Sequence, residues 1–350
     1  MDLVDGDRSF SWGGLAFPTD ENVNGSTNSS RVAIIGAGVS GLTCGVVFAE
    51  RGFRAAIFAE QLGQQTTSGA AAALWFPYDA EPVAKVIPWA LATYKVLVDL
   101  TKDPGSGVSM IELRQYCRAG KIPIPEWAAP FVISTEVEKS LTVFSSGFAL
   151  MVPLMDTAIY LDYLVNRFQQ AGGSINESVH FEKLENVDPK FDLLINCAGI
   201  GARELVRDLD LEPHRGQVAI VPKIDKMKCA IVCDDAPLMY AIPRTNDCVF
   251  GGTNEVSDNL EADPVTTKAI VSECAQVLKM ESPRVLRERV GLRPFRKSGV
   301  RLESEKLGDG RAVIHNYGHG GSGFTLSWGC AENVFGLASG LSGSRTSPSR

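Results

Sequence analysis

The stretch RVAIIGAGVSGLTCGVVFAERGFRAAIFAE, residues 31–60, decides how this chain folds. Val32 to Ile35 is an apolar run without alternation, the pattern of a parallel strand buried on both faces. Gly36-Ala37-Gly38-Val39-Ser40-Gly41 follows at once. Leu42 to Glu50 then reads as a helix, Gly52 as its C-cap, and Ala55 to Phe58 as the next strand. Strand, glycine turn, helix and strand form a unit that seats a pyrophosphate on a helix N-terminus. Gly36 makes the tight turn, Gly38 admits the backbone to the phosphates, and Gly41 lets helix and strand close up. Glu60, at the end of the second strand, is placed to accept from a ribose hydroxyl, and an acid there disfavours a 2′-phosphate. FAD and NAD are both compatible with this segment.

Downstream, Leu161 to Gln170 is an amphipathic helix, Val179 to Phe181 a short strand, and DLLINCAG a buried strand ending in a small-residue turn. The middle changes character. Val218–Val221, Ala230–Val232, Leu238–Ile242 and Cys248–Gly251 are short β-like runs separated by turn residues, which suggests an antiparallel sheet. Thr266 to Met280 reads as a helix. The expected fold is α/β: a Rossmann-like, doubly wound domain interleaved with a mainly antiparallel β domain.

Composition excludes several functions. At 350 residues the chain has room for two domains. A net charge of −7 offers no basic face to nucleic acid or an anionic membrane. The most apolar window, Leu141 to Val165, is broken by Pro153, Asp156 and Asp162 and cannot span a bilayer. Eight cysteines without a C-x-x-C pair and four histidines without zinc spacing predict no metal, and read as buried thiols of a reducing compartment. The N-terminus carries no secretory pattern, so the Asn24 and Asn28 sequons read as chance matches. The C-terminus lacks a peroxisomal address, which leaves the cytoplasm as the expected location. Residues 1–30 and 339–350, rich in Gly and Ser, are expected to be flexible tails.

Six ordered motifs carry a resemblance. They are QQTTSGAAAALWFPY (64–78), INCAGIGARELV (195–206), HRGQ (214–217), PLMYAIPRTNDCVFGGT (237–253), RERVGLRPFRKSGVRLE (287–303) and VIHNYGHGGSGFTLSWGC (313–330). Together they make residues Arg31 to Leu337 resemble the D-amino-acid oxidase and D-aspartate oxidase family of flavoproteins. The resemblance implies non-covalent FAD. It implies oxidation of a D-amino acid by hydride transfer from the α carbon to flavin N5, reoxidation by oxygen with release of hydrogen peroxide, and hydrolysis of the imino acid to a 2-oxo acid and ammonia. It allows a homodimer. It assigns residues 31–78, 151–217 and 289–338 to a discontinuous FAD-binding domain, and 79–150 and 218–288 to the substrate-binding domain.

By match to the motifs, the dinucleotide is expected against Gly36, Ala37, Gly38, Val39, Ser40, Gly41, Glu60, Gln61, Thr66, Thr67, Ser68, Ala72, Ala73 and Leu74, with Leu184 and Ala198 flanking its adenosine half. The late glycine loop and the helix after it, Gly320, Gly321, Ser322, Gly323, Phe324 and Thr325, are implied at the flavin's pyrimidine end. Backbone N–H groups and a helix N-terminus there would stabilise the charge of the reduced ring.

Arg293 and Tyr240 match the substrate-carboxylate binders, and the carbonyl of Gly321 matches the acceptor for the substrate amine. The chemistry suits those residue types, because a guanidinium grips a carboxylate bidentately and a tyrosine hydroxyl adds a further hydrogen bond. Arg293 has a plainer alternative, pairing with a surface carboxylate, for which Arg296 is the better candidate. His315 and His319 read as structural donors rather than bases, and Trp75, Tyr78 and Trp328 as core or pocket wall.

The chain departs from the family pattern in three places. Ala236 stands where animal D-amino-acid oxidases carry a lid tyrosine, which points to a reduced lid. Phe76 replaces a polar residue and should make the amine end more apolar. Ala73 replaces a glycine. Neutral, apolar D-amino acids are the expected substrates. The alternative is a D-aspartate oxidase, with Arg244 as the second cation it would need. An NAD-dependent dehydrogenase and a non-catalytic flavin-binding protein are the readings from other classes.

Overall fold

The computed structural model describes residues 30–138 and 140–343. Two sheets organise them. The first has six strands in the spatial order Arg301–Lys306, Ala312–Tyr317, Leu193–Asn196, Arg31–Ile35, Arg54–Ala59 and Ser174–Glu177. All neighbours are parallel except Arg301–Lys306, which pairs antiparallel at the edge. The first strand shows why its sequence lacks alternation: Val32 and Ile34 enter one apolar core, Ala33 and Ile35 another. A strand covered on both faces has no polar side to show. Helices Val39–Glu50 and Gly323–Gly343 pack against each other over one face, joined there by Thr157–Gln170 and Val83–Leu100.

The second sheet is nine-stranded and mainly antiparallel, built around the long strands Val108–Cys117, Ser146–Met155, Leu211–Pro222 and Arg287–Arg296. Its outer face carries Ala219, Ile231, Ala241 and Phe250 against Ile270, Val271 and Cys274 of helix Pro264–Val277. Its inner face lines the cavity described below. Side chains alternate between faces along a strand, so the same strands build a core and a ligand wall. Strands Ser146–Met155, Leu211–Pro222 and Arg287–Arg296 run across positions 151, 217 and 289, where the sequence reading divides its domains.

Two expectations need correction. Val179–Phe181 is not a strand. The turn at Gly172–Gly173 starts the sixth strand earlier, at Ser174, and Phe181 packs its ring edge against Phe58 with centroids 5.6 Å apart. The C-terminal tail does not begin at 339, because the last helix continues to Gly343. Leu337 and Leu341, one turn apart, pack against the core, and Ser339 bonds back to the carbonyl of Phe335, so apolar spacing overrides the Gly and Ser content. Residues 1–29, with both sequons, and 344–350 lie outside the described residues. All eight cysteines are free, and seven of them are buried. Among the described residues no helix is long and apolar enough to cross a membrane.

Candidate active site

A cavity of about 720 Å³ runs between the two sheets. At one end the strand Arg31–Ile35 stops and Gly36 turns at φ +104°, a conformation that side chains disfavour. Sequence also forbids bulk there. A Cβ on Gly36 would stand 2.4 Å from the carbonyl oxygen of Cys197, and one on Gly41 would stand 1.9 Å from the carbonyl oxygen of Gly36. Gly41 therefore closes helix onto turn, as its spacing predicts, and it does not line the cavity. Gly38 is the extended N-cap of helix Val39–Glu50 and offers no side chain to it; Ser68 Oγ accepts from the Val39 N–H at 3.0 Å. Ala37, Val39, Ser40, Gln61, Thr66, Thr67, Ser68, Ala72, Ala73, Leu74 and Ala198 all line the space.

The late glycine loop forms the facing wall. His319, Gly320, Gly321, Gly323 and Phe324 line the cavity, and a Cβ on Gly323 would meet Val39 at 3.7 Å. The N-termini of two helices, Val39–Glu50 and Gly323–Gly343, are thus brought together on one space. Their partial positive charge suits an anionic ligand. Ser322 and Thr325 do not reach it. Ser322 Oγ donates to the Tyr78 carbonyl and accepts from its N–H at 2.7 Å, while Thr325 Oγ1 accepts from Phe76 N–H at 3.1 Å. Both side chains clamp the 74–78 segment. Gly320 and Gly321 are small for the same reason, since a Cβ on either would strike Asp79 or Tyr78.

Leu184 is also corrected, being buried in the core with Val187 and Phe191. Val179, His180 and Phe181 line that end instead. Glu60 sits at the rim with Oε1 2.8 Å from His180 Nδ1, and that carboxylate raises the His180 pKa. Ala73 holds φ +49°, which explains why a glycine suits this position.

The other end of the cavity is the inner face of the large sheet. Leu113, Gln115, Val218, Val232, Asp234, Leu238, Tyr240, Ile242 and Arg293 line it at alternate positions of adjacent strands, with Phe76 and Tyr78 opposite. Phe76 meets Trp127 edge-on at 5.3 Å, so the wall there is apolar, as its residue type predicts. Two glycine sites make room for the polar groups. A Cβ on Gly216 would stand 2.6 Å from the Arg293 guanidinium, and one on Gly251 would stand 2.0 Å from Tyr240 Cζ. This accounts for the HRGQ and FGGT motifs.

Arg293 Nη1 donates to the Thr253 carbonyl at 3.0 Å and makes no ion pair with a carboxylate among the described residues. Arg296, by contrast, is paired with Asp208 at 2.8 Å. Burial raises the Tyr240 pKa, and the adjacent Arg293 opposes that shift. The Tyr78 pKa is raised by burial and then by Asp234, and Arg293 opposes the shift; Asn254 Nδ2 donates to its hydroxyl at 3.2 Å. Asp234 is exposed as a residue, yet desolvation and then Asp235 push its carboxyl upward against a hydrogen bond from Gln115. His319 is buried, its Nε2 3.0 Å from Asn316 Oδ1, and desolvation takes its pKa down to about 4. It is neutral at physiological pH and structural. His315, sealed between Asn196 and Glu305, has its pKa lowered, mainly by burial.

Arg244 does not enter the cavity. It grips Asp247 through two hydrogen bonds, at 2.7 and 3.0 Å, and also reaches Thr157. Tyr78 lines the cavity, one of the two places its sequence allowed, whereas Gln115 and Asp234 were not singled out, because local sequence does not say which face of a strand a lone polar residue takes.

A cradle of glycines and two helix N-termini, opposite a guanidinium with no acid partner among the described residues, fits a dinucleotide beside a carboxylate substrate. A family model described as FAD dependent oxidoreductase matches residues 31–335, and the chain belongs to that family. FAD is its cofactor. Among individual relatives, the D-amino-acid oxidase of Rubrobacter xylanophilus is 38% identical over 318 residues, covering 88% of this chain and 96% of that one. The D-amino-acid oxidase of Streptomyces coelicolor is 38% identical over 313 residues, covering 88% and 96%. The D-aspartate oxidase of Homo sapiens is 31% identical over 332 residues, covering 89% and 95%. The solved structure of glycine oxidase from Geobacillus kaustophilus shares the fold, with a TM-score of 0.74 at 16% identity over 89% of this chain and 95% of that one.

Proposed function

We propose that this protein is a D-amino-acid oxidase acting on neutral, apolar D-amino acids, with oxygen as the final acceptor and hydrogen peroxide, ammonia and a 2-oxo acid as products. The observation that carries the reading is Arg293, seated over Gly216 beside Tyr240 with no carboxylate partner among the described residues. Such a guanidinium binds a substrate carboxylate bidentately, and the Tyr240 hydroxyl adds a third hydrogen bond. With the carboxylate fixed, the side chain lies along Phe76, Leu113, Val232 and Leu238, and the Cα–H has one direction left. Bound FAD supplies the hydride acceptor. The Gly321 carbonyl is assigned to receive the amine. Residues Gly36 to Ser40, Glu60, Gln61, Thr66 to Ser68 and Ala72 to Leu74 are assigned to the dinucleotide together with Ala198, Gly320, Gly321, Gly323 and Phe324.

The acidic alternative is disfavoured because, among the cavity-lining residues, Arg293 is the single Lys or Arg. A side-chain carboxylate would find no second cation, since Arg244 is spent on Asp247. Segments 31–78, 151–217 and 289–338 are read as the FAD-binding domain and 79–150 and 218–288 as the substrate-binding domain, with Phe76, Arg293 and Gly321 reaching the substrate from the first. The same reading allows a homodimer and takes the cytoplasm as location. Sedimentation of the purified protein and imaging of a tagged chain test those points. The activity is tested by peroxide release from the FAD-loaded protein on D- and L-alanine, methionine and phenylalanine, with D-aspartate and D-glutamate. Release from the neutral D-series is expected; preference for an acidic substrate would overturn the choice, and no release would leave a flavin-binding protein without oxidase activity.

A further inference from the structure

One side chain ties the two walls of the substrate end together, and the chemistry above does not use it. Asn254 follows the strand Asp247–Gly251 in the connection to Glu255–Val256. Its neighbour Thr253 anchors that connection, since Thr253 Oγ1 accepts from the Gln217 N–H at 2.9 Å and its carbonyl from Arg293 Nη1 at 3.0 Å. From there the Asn254 amide spans Arg293 and Tyr78. Oδ1 lies 3.4 Å from Arg293 Nη1, and Nδ2 lies 3.2 Å from the Tyr78 hydroxyl. The reverse orientation of the amide would set an NH2 group against the guanidinium, donor against donor, so the two partners fix which end is which. Arg293 and Tyr78 both line the cavity, and the exposed Asn254 reaches them from outside that lining.

The bridge has two consequences for a carboxylate held at Arg293. Nη1 is occupied by two protein oxygens, which pins one arm of the fork and leaves the rest of it to the ligand. The Tyr78 oxygen accepts from Asn254, so its own hydrogen must turn elsewhere, and among the described residues it has no acceptor. Ser322 clamps the Tyr78 backbone on both sides, and burial raises the phenol pKa, so the hydroxyl stays in place and stays protonated. Because a single amide touches both groups, hydroxyl and guanidinium lie within reach of one bound carboxylate. We propose that Asn254 is a positioning residue for substrate binding, holding the Arg293 fork and turning the Tyr78 hydroxyl into a further donor to the substrate carboxylate. This rests on the D-amino-acid reading above.

Asn254→Asp and Asn254→Ala separate this role from a structural one. Aspartate has the shape of asparagine and keeps an oxygen for Arg293, so a merely structural role makes it the milder change. On the proposal it is the harsher one, because the new carboxylate pairs with Arg293, competes with the substrate and no longer donates to Tyr78. For the FAD-loaded protein, KM for D-methionine is expected to rise about tenfold in Asn254→Asp and about threefold in Asn254→Ala, with the larger part of each change in KM rather than kcat. Tyr78→Phe should account for most of the Asn254→Ala loss, so the double variant should be little worse than Asn254→Ala alone. FAD affinity, read by fluorescence quenching, should stay near the wild-type value throughout. An Asn254→Asp variant no worse than Asn254→Ala, or additive losses in the double variant, overturns the proposal. Should Asn254→Asp fold poorly, the comparison of Tyr78→Phe with the double variant still decides. If the wild type oxidises D-methionine and the order of the two Asn254 variants is reversed, only the role of Asn254 fails. If no D-amino acid is oxidised, the underlying reading fails with it.

Discussion

Gly216 lies beneath Arg293, so that any Cβ at position 216 would stand 2.6 Å from the guanidinium nitrogens. The two residues are diagonal neighbours on adjacent strands, Gly216 opposite Gly291 and His214 opposite Arg293. The carboxylate grip therefore depends on an absent side chain. Gly216→Ala should push the guanidinium off its place and raise KM for D-methionine at least about tenfold, since a small misplacement of a binding group is costly. FAD affinity, read by fluorescence quenching, should hardly change. Equal loss of both would mean that the strand, not the grip, was damaged.

Gly321 is small for a reason within the protein: its Cβ direction points at Tyr78 Cδ1, 2.5 Å away. Gly321→Ala should thus lower the melting temperature as well as the turnover. Tyr78→Ala in the same chain should restore most of the lost stability, because contacting sites couple by about 0.5–3 kcal/mol. Strict additivity of the two changes in thermal melts would refute the contact.

Ala73 sits at φ +49°, where a non-glycine residue costs roughly 1–2 kcal/mol. Ala73→Gly removes that strain but frees the unfolded chain by a comparable or smaller amount. A net gain below about 1 kcal/mol is expected in urea unfolding, and a loss would show that the Ala73 methyl contributes packing worth more than the strain.

His319 gives a signed pH dependence. Its folded pKa, about 4, lies below the ordinary histidine value of 6.5, so the folded state prefers it neutral. Between these values the unfolded chain binds the extra proton, and stability falls as pH falls from about 6.5 to 4. The loss is on the order of 3 kcal/mol at the acid end. His319→Gln should flatten this part of the curve in denaturant titrations at stepped pH. An unchanged slope would assign the acid sensitivity to other groups.

Arg244 is predicted to be structural. Arg244→Met leaves Asp247 buried without its main partner, which typically costs about 3–5 kcal/mol. The ratio of D-methionine to D-aspartate turnover in whatever folded protein remains should not move. A selective fall in D-aspartate turnover would return Arg244 to the pocket.

What could be read in the sequence, and what could not, follows from the range of each signal. The unit at residues 31–60 is local: an apolar run, glycines at fixed offsets and an acid at the end of the adjacent strand are set by backbone geometry. That Arg293 and Tyr240 line one cavity could be anticipated because their motifs are long. Leu184, Ser322 and Thr325 were placed on the ligand although their side chains face protein, because a motif marks a segment and not the direction of each side chain within it. Arg244 is unavailable because Asp247, three residues on, turns back on it across a β-turn, a pairing that the turn and not the residue types decides. Gln115 and Asp234 come from strands far apart in the chain and become a pair only through the parallel register of Gln115 with Val232. No local pattern encodes that.

The central claim is that Arg293 and Tyr240 hold a D-amino acid so that its α hydrogen faces bound FAD. Anaerobic mixing of the FAD-loaded protein with D-methionine, L-methionine and D-aspartate tests it most directly, followed by flavin absorbance. Rapid bleaching with D-methionine alone is predicted, slowed at least about a hundredfold at sub-saturating substrate in Arg293→Gln. Bleaching by L-methionine, or none by D-methionine, would contradict the account.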